Sequence, residues 1–354
     1  MTTIAGVSAR LLTVPLPRPW AADVRENHFI AVTVTDNDGA RGHGFSWTPT
    51  IGAGAVLSLL TADIARFARG RETDPAPVWD ALWRHLHEAG SGGLTTIAMA
   101  GLDLALWDLR AQRAHASVPQ LIGRRHEAVP TYGSGINRHL ELPELVAQAR
   151  RWVDAGFGAV KIKVGGRPLR DDVARVAAVR DVLGPDRGLM IDANQLWTLE
   201  EARAAAAALE PFHLRWIEEP LRADDLPGYR ALSAATAVPI AAGENIHTGY
   251  RFREFMDAGA LSIIQPNVIR VGGITPFLAI AADADARGVP VFPHLLPELS
   301  AQVALCLPRP SMVEDVEDSS LTALGVLARP APVRVTATEA RSTDEPGLGL
   351  RIRP

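Results

Sequence analysis

Apolar and polar residues alternate over 4–14, over 29–36 and again over 42–47, which is strand periodicity. Asn37-Asp38-Gly39 lies between the last two runs and carries a hairpin-turn signal. These stretches predict an antiparallel meander. The connection 15–28, with Pro15, Pro17, Pro19 and Trp20, reads as a loop, and 47–54 as a second one. Between 55 and 122 the apolar spacing becomes helical. It is clearest over 95–112, with Asp103 and Asp108 on a different face from the apolar residues.

From Val129 the pattern changes again. Short apolar runs at 129–135, 159–165, 188–193, 214–219, 238–243, 261–266, 290–294 and 311–316 read as strands. Amphipathic stretches at 142–155, 170–182, 199–209, 250–258, 275–287 and 298–306 lie between them. Strands alternating with helices predict an α/β fold with a parallel (β/α)8-type TIM barrel. An open doubly wound sheet shares this alternation, although no G-x-G-x-x-G follows the first strand. The expected division is an α+β domain over 1–125 and a barrel over 126–324. A Pro- and Gly-rich tail over 325–354, with strand-like pieces at 333–337 and 347–352, is expected to return to the first domain.

A chain of 354 residues with 47% apolar and 21% charged residues has ample material for such a core. Its net charge of −4, without a basic cluster, argues against nucleic acid or an anionic membrane as partner. Cys306 is the only cysteine, so no intrachain disulfide and no cysteine metal site are expected. The N-terminus lacks a basic-then-apolar signal pattern, and the longest apolar stretch, 97–109, is interrupted by Asp103 and Asp108. A cytoplasmic enzyme is the expectation.

The distribution of basic residues is more informative. Of 36 Lys and Arg residues only Lys161 and Lys163 are lysine. Arginine stays protonated, whereas lysine can shift its pKa and act as a base. Strand periodicity sends both ammonium groups to one side, and Ala159, Val160, Ile162 and Val164 leave no convincing solvent face for an exposed strand.

Three acids close successive apolar runs: Asp192 after Leu-Met-Ile, Glu218 after Arg-Trp-Ile and Glu244 after Ala-Ala-Gly, 26 residues apart each time. In a barrel such ends converge on the C-terminal mouth. Three carboxylates there would repel one another, and a divalent cation resolves the repulsion. An all-oxygen set favours Mg²⁺. Each acid could instead cap a helix or form an ion pair on its own. His294 ends the seventh strand after Pro293, and Glu314 ends the eighth.

Together these residues resemble the enolase superfamily, in its mandelate racemase subgroup (mandelate racemase/muconate lactonizing enzyme-like). The resemblance rests on Lys161-x-Lys163, Asp192-Ala-Asn194, Glu218-Glu219-Pro220, Gly243-Glu244-Asn245, the 270–275 run Arg-Val-Gly-Gly-Ile-Thr, Pro293-His294, Glu314 and the 100–108 run Ala-Gly-Leu-Asp-Leu-Ala-Leu-Trp-Asp. It spans essentially the whole chain, and it implies a modified (β/α)7β barrel under a capping domain. It further implies that Asp192, Glu218 and Glu244 hold Mg²⁺, and that the α-proton of a carboxylate substrate is removed to give an enediolate; this Lys- or His-base chemistry with Mg²⁺ is established for the superfamily. Lys163 would be a base with a pKa lowered by Lys161 and the metal, and Lys161 would contact the substrate carboxylate. His294 would face it from the other side. Glu314 would donate a hydrogen bond if protonated. Arg18, Trp20, His28, Trp47 and Thr48 from the capping loops, with Ser134, Asn194 and His247 from the barrel, are the implied substrate-binding candidates. The partners implied are a small-molecule carboxylate and further copies of the chain in a homo-oligomer.

One position departs from the subgroup. Its usual aspartate partner for the strand-seven histidine is here Asn267, 27 residues before His294. Asparagine can orient an imidazole but cannot stabilise an imidazolium as a carboxylate does. This favours dehydration of a sugar acid, an aldonate or aldarate, to a 2-keto-3-deoxy acid, with Lys163 as base and His294 chiefly as acid. A racemase, epimerase or cycloisomerase of a 2-hydroxy acid or acid lactone is the alternative reading. A metal-binding barrel with little turnover is the third.

Overall fold

The first alternating runs form one antiparallel sheet of β1 (Ile4–Pro15), β2 (Glu26–Asp36) and β3 (Arg41–Thr48), with β2 in the middle. The computed structural model describes residues 2–20 and 24–354, so the middle of the expected 15–28 loop, residues 21–23, lies outside the described residues. β2 starts earlier than its alternation suggests, because Asn27 and His28 still pair with Val14 and Thr13. One face of the sheet is covered by the helix Leu94–Arg113. Gly42 and Gly44 permit this contact: a Cβ on Gly44 would lie 2.5 Å from backbone atoms of Gly101 and Ala105. The helix therefore packs against the strand almost backbone to backbone.

That helix corrects the two-faced expectation. It is buried on nearly every side, and Asp103 and Asp108 are among the buried residues. Asp108 accepts hydrogen bonds from the backbone N–H of His43 and of Leu348, both at 2.7 Å. Asp103 accepts from Thr275 N at 3.0 Å and Oγ1 at 2.5 Å, while Trp107 Nε1 donates to the same Oγ1 at 2.9 Å and Trp79 Nε1 donates to Gly272 O at 2.9 Å. The two acids are clasps between distant parts of the chain, and buried carboxylates are tolerated because every neighbouring donor meets them. Asp103→Ala strands two donors of Thr275, so it should lower the unfolding free energy by about 1–3 kcal/mol. A denaturant midpoint equal to that of the wild type would remove Asp103 from the clasp.

The second part forms a parallel sheet of β4 (Val129–Ser134), β5 (Ala159–Lys163), β6 (Gly188–Asp192), β7 (Ile217–Glu218), β8 (Ile240–Ala242) and β9 (Ile263–Ile264) in sequence order, with β10 (Val313–Val316) parallel on the other side of β4. The seventh expected strand survives as a single bridge between Val291 and Ile264. Its backbone still bonds Ile264 N to Pro290 O, Phe292 N to Ile264 O and His294 N to Pro266 O. Pro266, Pro290 and Pro293 lack amide donors, which keeps this part of the ladder short. One side chain from each of the eight strand positions fills the interior: Tyr132, Ala159, Met190, Trp216, Ala241, Ile263, Phe292 and Met312 pack together apart from the main core. The sheet is thus a closed TIM barrel, and an open doubly wound sheet is excluded.

The expected helices lie between the strands within a residue or two of their anticipated ends, from Leu142–Ala155 to Pro297–Ala304. The tail is divided. β11 (Val333–Val335) and β12 (Glu339–Ser342) form a hairpin that adds antiparallel to β4. The following stretch reaches the first sheet and its helices, where Val118 N donates to Gly347 O and Arg10 donates to Ile352 O. Among the described residues no helix is long and apolar enough to cross a membrane.

Candidate active site

The C-terminal ends of β5 and β6 lie side by side, with Lys163 opposite Asp192 in the ladder. Asp192 is followed by Asn194 and Gln195, both with left-handed backbone (φ 43° and 65°). That turn wraps Asn194 back so that its N and Nδ2 donate to the Asp192 carboxylate at 2.8 and 3.1 Å. Glu218 ends β7 and accepts from Trp216 Nε1 at 3.1 Å and from Gln265 Nε2 at 2.6 Å. Glu244 follows Gly243, where a Cβ would lie 2.5–2.7 Å from the Gln265 backbone; only glycine allows β8 to end this close to β9. Oxygens of Asp192, Glu218 and Glu244 all lie within 4.8 Å of one another, and the residues are buried. Three convergent hard oxygen donors on three rigid strand ends suit Mg²⁺, with positions left for substrate and water.

The basic residues close around this trio. Lys161 Nζ lies 2.6 Å from Glu218 Oε1, 2.8 Å from Glu314 Oε1 and 5.8 Å from the centre of the Tyr132 ring. Lys163 Nζ lies 2.5 Å from Asp192 Oδ2. His294 Nε2 lies 2.6 Å from Glu244 Oε2 and 3.7 Å from Glu314 Oε2. Leu295 and Leu296 follow with positive φ (55° and 50°), a costly backbone that turns Leu295 N toward Glu314 Oε2 at 3.2 Å.

Opposing effects act on the charged groups. Burial depresses the Lys163 ammonium and Lys161 adds to that, but the carboxylates of Asp192, Glu244 and Glu218 together outweigh them and raise its pKa; the lowering expected from the resemblance counts the charge of the metal as well. Burial raises the Glu314 carboxyl, but the cationic groups around it, Lys161 foremost, hold its pKa below the usual carboxylate range. Glu314 accepts here from Lys161 Nζ and from Leu295 N. Glu218 is pushed up to about 7, because burial outweighs Lys161.

Asn267 has its amide orientation set by the backbone. Its Oδ1 accepts from Ile269 N at 3.0 Å and Arg270 N at 3.1 Å, so its Nδ2 must be the group 3.1 Å from His294 Nδ1. The amide donates and Nδ1 accepts. With Nε2 facing a carboxylate, the neutral tautomer protonated at Nε2 satisfies both ring contacts.

The substrate-binding candidates divide. Asn194 supports Asp192. Ser134 ends β4 beside Lys161, buried, with its hydroxyl unpartnered. Of the capping residues, Arg18 and Trp20 line a cavity with Ile136 and His139 of the loop after β4 and Glu317 and Asp318 after β10, at the barrel mouth. Trp47 is buried, its indole bonded to Asn27 Oδ1 at 2.9 Å and edge-on to Trp20. His28 Nδ1 is 2.9 Å from Thr13 Oγ1, and Arg18 pairs with Asp318 at 3.2 Å. Thr48 is buried with an unpartnered hydroxyl. His247 lines a cavity of about 420 Å³ with Trp83, Tyr250 and Asn245, the last of which donates to Glu244. Sequence reasoning passed over several supports: Trp216 and Gln265 on Glu218, and Asn245, whose Nδ2 donates to both Glu219 oxygens at 2.9 Å and to Glu244 Oε1 at 3.0 Å. Strand alternation places Trp216 and Gln265 on the inner face, which was the available signal.

Comparison with known proteins gives the same picture. Residues 144–354 match the family model described as enolase C-terminal domain-like, and residues 8–123 match that of the mandelate racemase/muconate lactonizing enzyme N-terminal domain. The chain is 36% identical over 353 residues to a 3,6-anhydro-alpha-L-galactonate cycloisomerase of Streptomyces coelicolor, covering 98% of this chain and 96% of that one. A Streptomyces coelicolor racemase structure with bound magnesium superposes with a TM-score of 0.92 at 35% identity, covering 99% of this chain and 97% of that one. An L-talarate dehydratase from a Polaromonas species, complexed with Mg and L-glucarate, superposes with a TM-score of 0.89 at 33% identity, covering 100% and 96%.

Proposed function

This chain belongs to the enolase superfamily, in its mandelate racemase-like subgroup, and from that premise we propose that it is a Mg²⁺-dependent lyase that dehydrates a sugar acid, an aldonate or aldarate, to a 2-keto-3-deoxy acid. The observation that carries the reading is the amide of Asn267 donating to His294 Nδ1. A two-base racemase needs a histidine that passes through the imidazolium, and an Nδ1–H would then meet the Asn267 N–H₂. A neutral imidazole with its proton on Nε2 is instead a hydrogen-bond donor. Giving that proton away fully would leave an imidazolate, so His294 polarises and holds a leaving oxygen rather than acting as a full acid, a refinement of the role expected from the sequence.

Asp192, Glu218 and Glu244 would hold the ion. When bound, Mg²⁺ supplies the positive charge that stabilises the enediolate and offsets the Asp192 charge that keeps Lys163 protonated. Lys163 then takes the α-proton as base. As an ammonium it would return a proton to the oxygen leaving C3, so atoms and charge balance as acid in, enol and water out, with the enol ketonising afterwards. Lys161 orients the substrate carboxylate.

A second reading shares this elimination. The Streptomyces coelicolor relative is named for a 3,6-anhydro acid, in which the oxygen leaving C3 is a ring ether, so the same residues would open a ring without releasing water. Incubating aldonic, aldaric and 3,6-anhydro acids with enzyme and Mg²⁺ should yield a 2-keto acid from at least one of them. If none does, yet an α-proton exchanges with solvent deuterium, elimination is wrong and racemisation takes its place. Asn267→Asp should allow His294 to accept protons, raising exchange from its face by at least about 10-fold, given the roughly 10⁴ effect of this pair of residues on histidine bases elsewhere. The reading also carries a cytoplasmic setting and a homo-oligomer, the latter checked by light scattering.

A further inference from the structure

We propose that Arg138 binds a second anionic group at the far end of the substrate, so that aldaric diacids are preferred to aldonic acids of the same backbone; this rests on the elimination reading for the near end. Arg138 lies in the loop after β4. Its Nη2 donates to Asn194 Oδ1 at 2.6 Å, and Asn194 in turn donates to Asp192. One side chain therefore joins the guanidinium to the acid trio, which places it at the barrel mouth.

Arg138 uses one of its five N–H donors in that bond, and its Nε is buried without a partner. The side chain is only partly exposed, with its Cδ lying over Gly166, 3.7 Å from where a Cβ would be. The neighbouring cations are occupied: Arg18 by Asp318 at 3.2 Å, Arg167 by Glu141 at 3.1 Å, and Lys161 and Lys163 by the acids described above. Among the described residues no carboxylate lies within ion-pair distance of Arg138; Asp192 and Asp172 act on it only through the longer-range field. A fork of N–H donors, partly shielded from water and without a counter-ion, fits a planar carboxylate in bidentate fashion. A sugar hydroxyl would occupy one donor and leave the charge unmatched.

The test compares kcat/KM for hexaric acids and the matching hexonic acids, with the full chain and Mg²⁺. The wild type should favour the diacid by at least about 30-fold, a typical value for a shielded charge pair. Arg138→Gln should reduce the diacid-to-monoacid ratio by about 100-fold, mainly through KM, and Arg138→Lys should restore part of it. An unchanged ratio, or a Mg²⁺ affinity that weakens by the same factor as turnover, overturns the proposal, because Arg138 would then act only through Asn194 on the metal site. A wild type that prefers a 6-phosphoaldonate to the diacid overturns the carboxylate assignment. If the wild type converts neither acid class, the elimination reading has failed on its own. Calorimetric binding of unreacted diacid to wild type and Arg138→Gln then decides Arg138: weaker binding in the variant supports the anchor, and equal binding removes it.

Discussion

Lys163→Ala should lower kcat by about 10²–10⁴-fold, the range expected when a positioned general base is lost, while Mg²⁺ still binds and the fold is kept. The only other lysine, Lys161, cannot substitute, since its Nζ is held by Glu218 and Glu314 at 2.6 and 2.8 Å. Lys163→Arg is the sharper variant. It retains the positive charge beside Asp192 and fills the same space approximately, but a guanidinium does not deprotonate at usable pH. Its turnover should fall nearly as far as that of the alanine variant. If Lys163→Arg keeps more than a tenth of wild-type kcat, Lys163 is an electrostatic anchor rather than the base. Loss of α-deuterium from labelled substrate in water separates the two roles, because an anchor could be lost without abolishing proton removal.

Asp192→Asn should weaken Mg²⁺ binding by at least about 100-fold, more than the 10–100-fold typical of a lost supporting residue, because a direct ligand and its charge are removed together. The structure gives a second reason. Asp192 accepts from Asn194 N, from Asn194 Nδ2 and from Lys163 Nζ. An amide at 192 presents an N–H₂ to at least one of these donors, so the remaining oxygen is pulled out of the trio. Titration calorimetry with Mg²⁺ reads the affinity, and circular dichroism checks that β6 and its neighbours persist. Wild-type affinity would take Asp192 out of the metal set and leave it as a partner of Lys163 only.

These residues were legible because strand order and strand ends are local properties. The acids at 192, 218 and 244 recur once per strand–helix unit, and a barrel turns that one-dimensional spacing into a cluster within 4.8 Å. Lys161 and Lys163 stood out because a chain otherwise supplied with arginine keeps lysine at those positions alone. The capping residues were less legible. Trp47 and His28 sit on strands whose pattern does not say whether the tip of the sheet faces the barrel, and their side chains are bonded to Asn27 and Thr13. The buried aspartates of the helix Leu94–Arg113 look like a polar face in sequence, since only the distant Thr275, His43 and Leu348 reveal what they bind.

Periodicity and residue choice were enough for the α/β barrel, the acid trio and the lysine pair, because alternation and the βα repeat are written in short stretches of chain. The state of the charged groups was not. Which neighbour wins at Lys163 and Glu314 depends on distances between strands, since burial and ion pairing oppose each other there. The role of His294 depends on two backbone amides, Ile269 and Arg270, that turn the Asn267 carbonyl away from the ring. In sequence, asparagine at 267 marks a weakened base. In the folded chain its orientation puts the imidazole proton on Nε2, because hydrogen bonds are directional and only the assembled loop decides which end of an amide faces its partner.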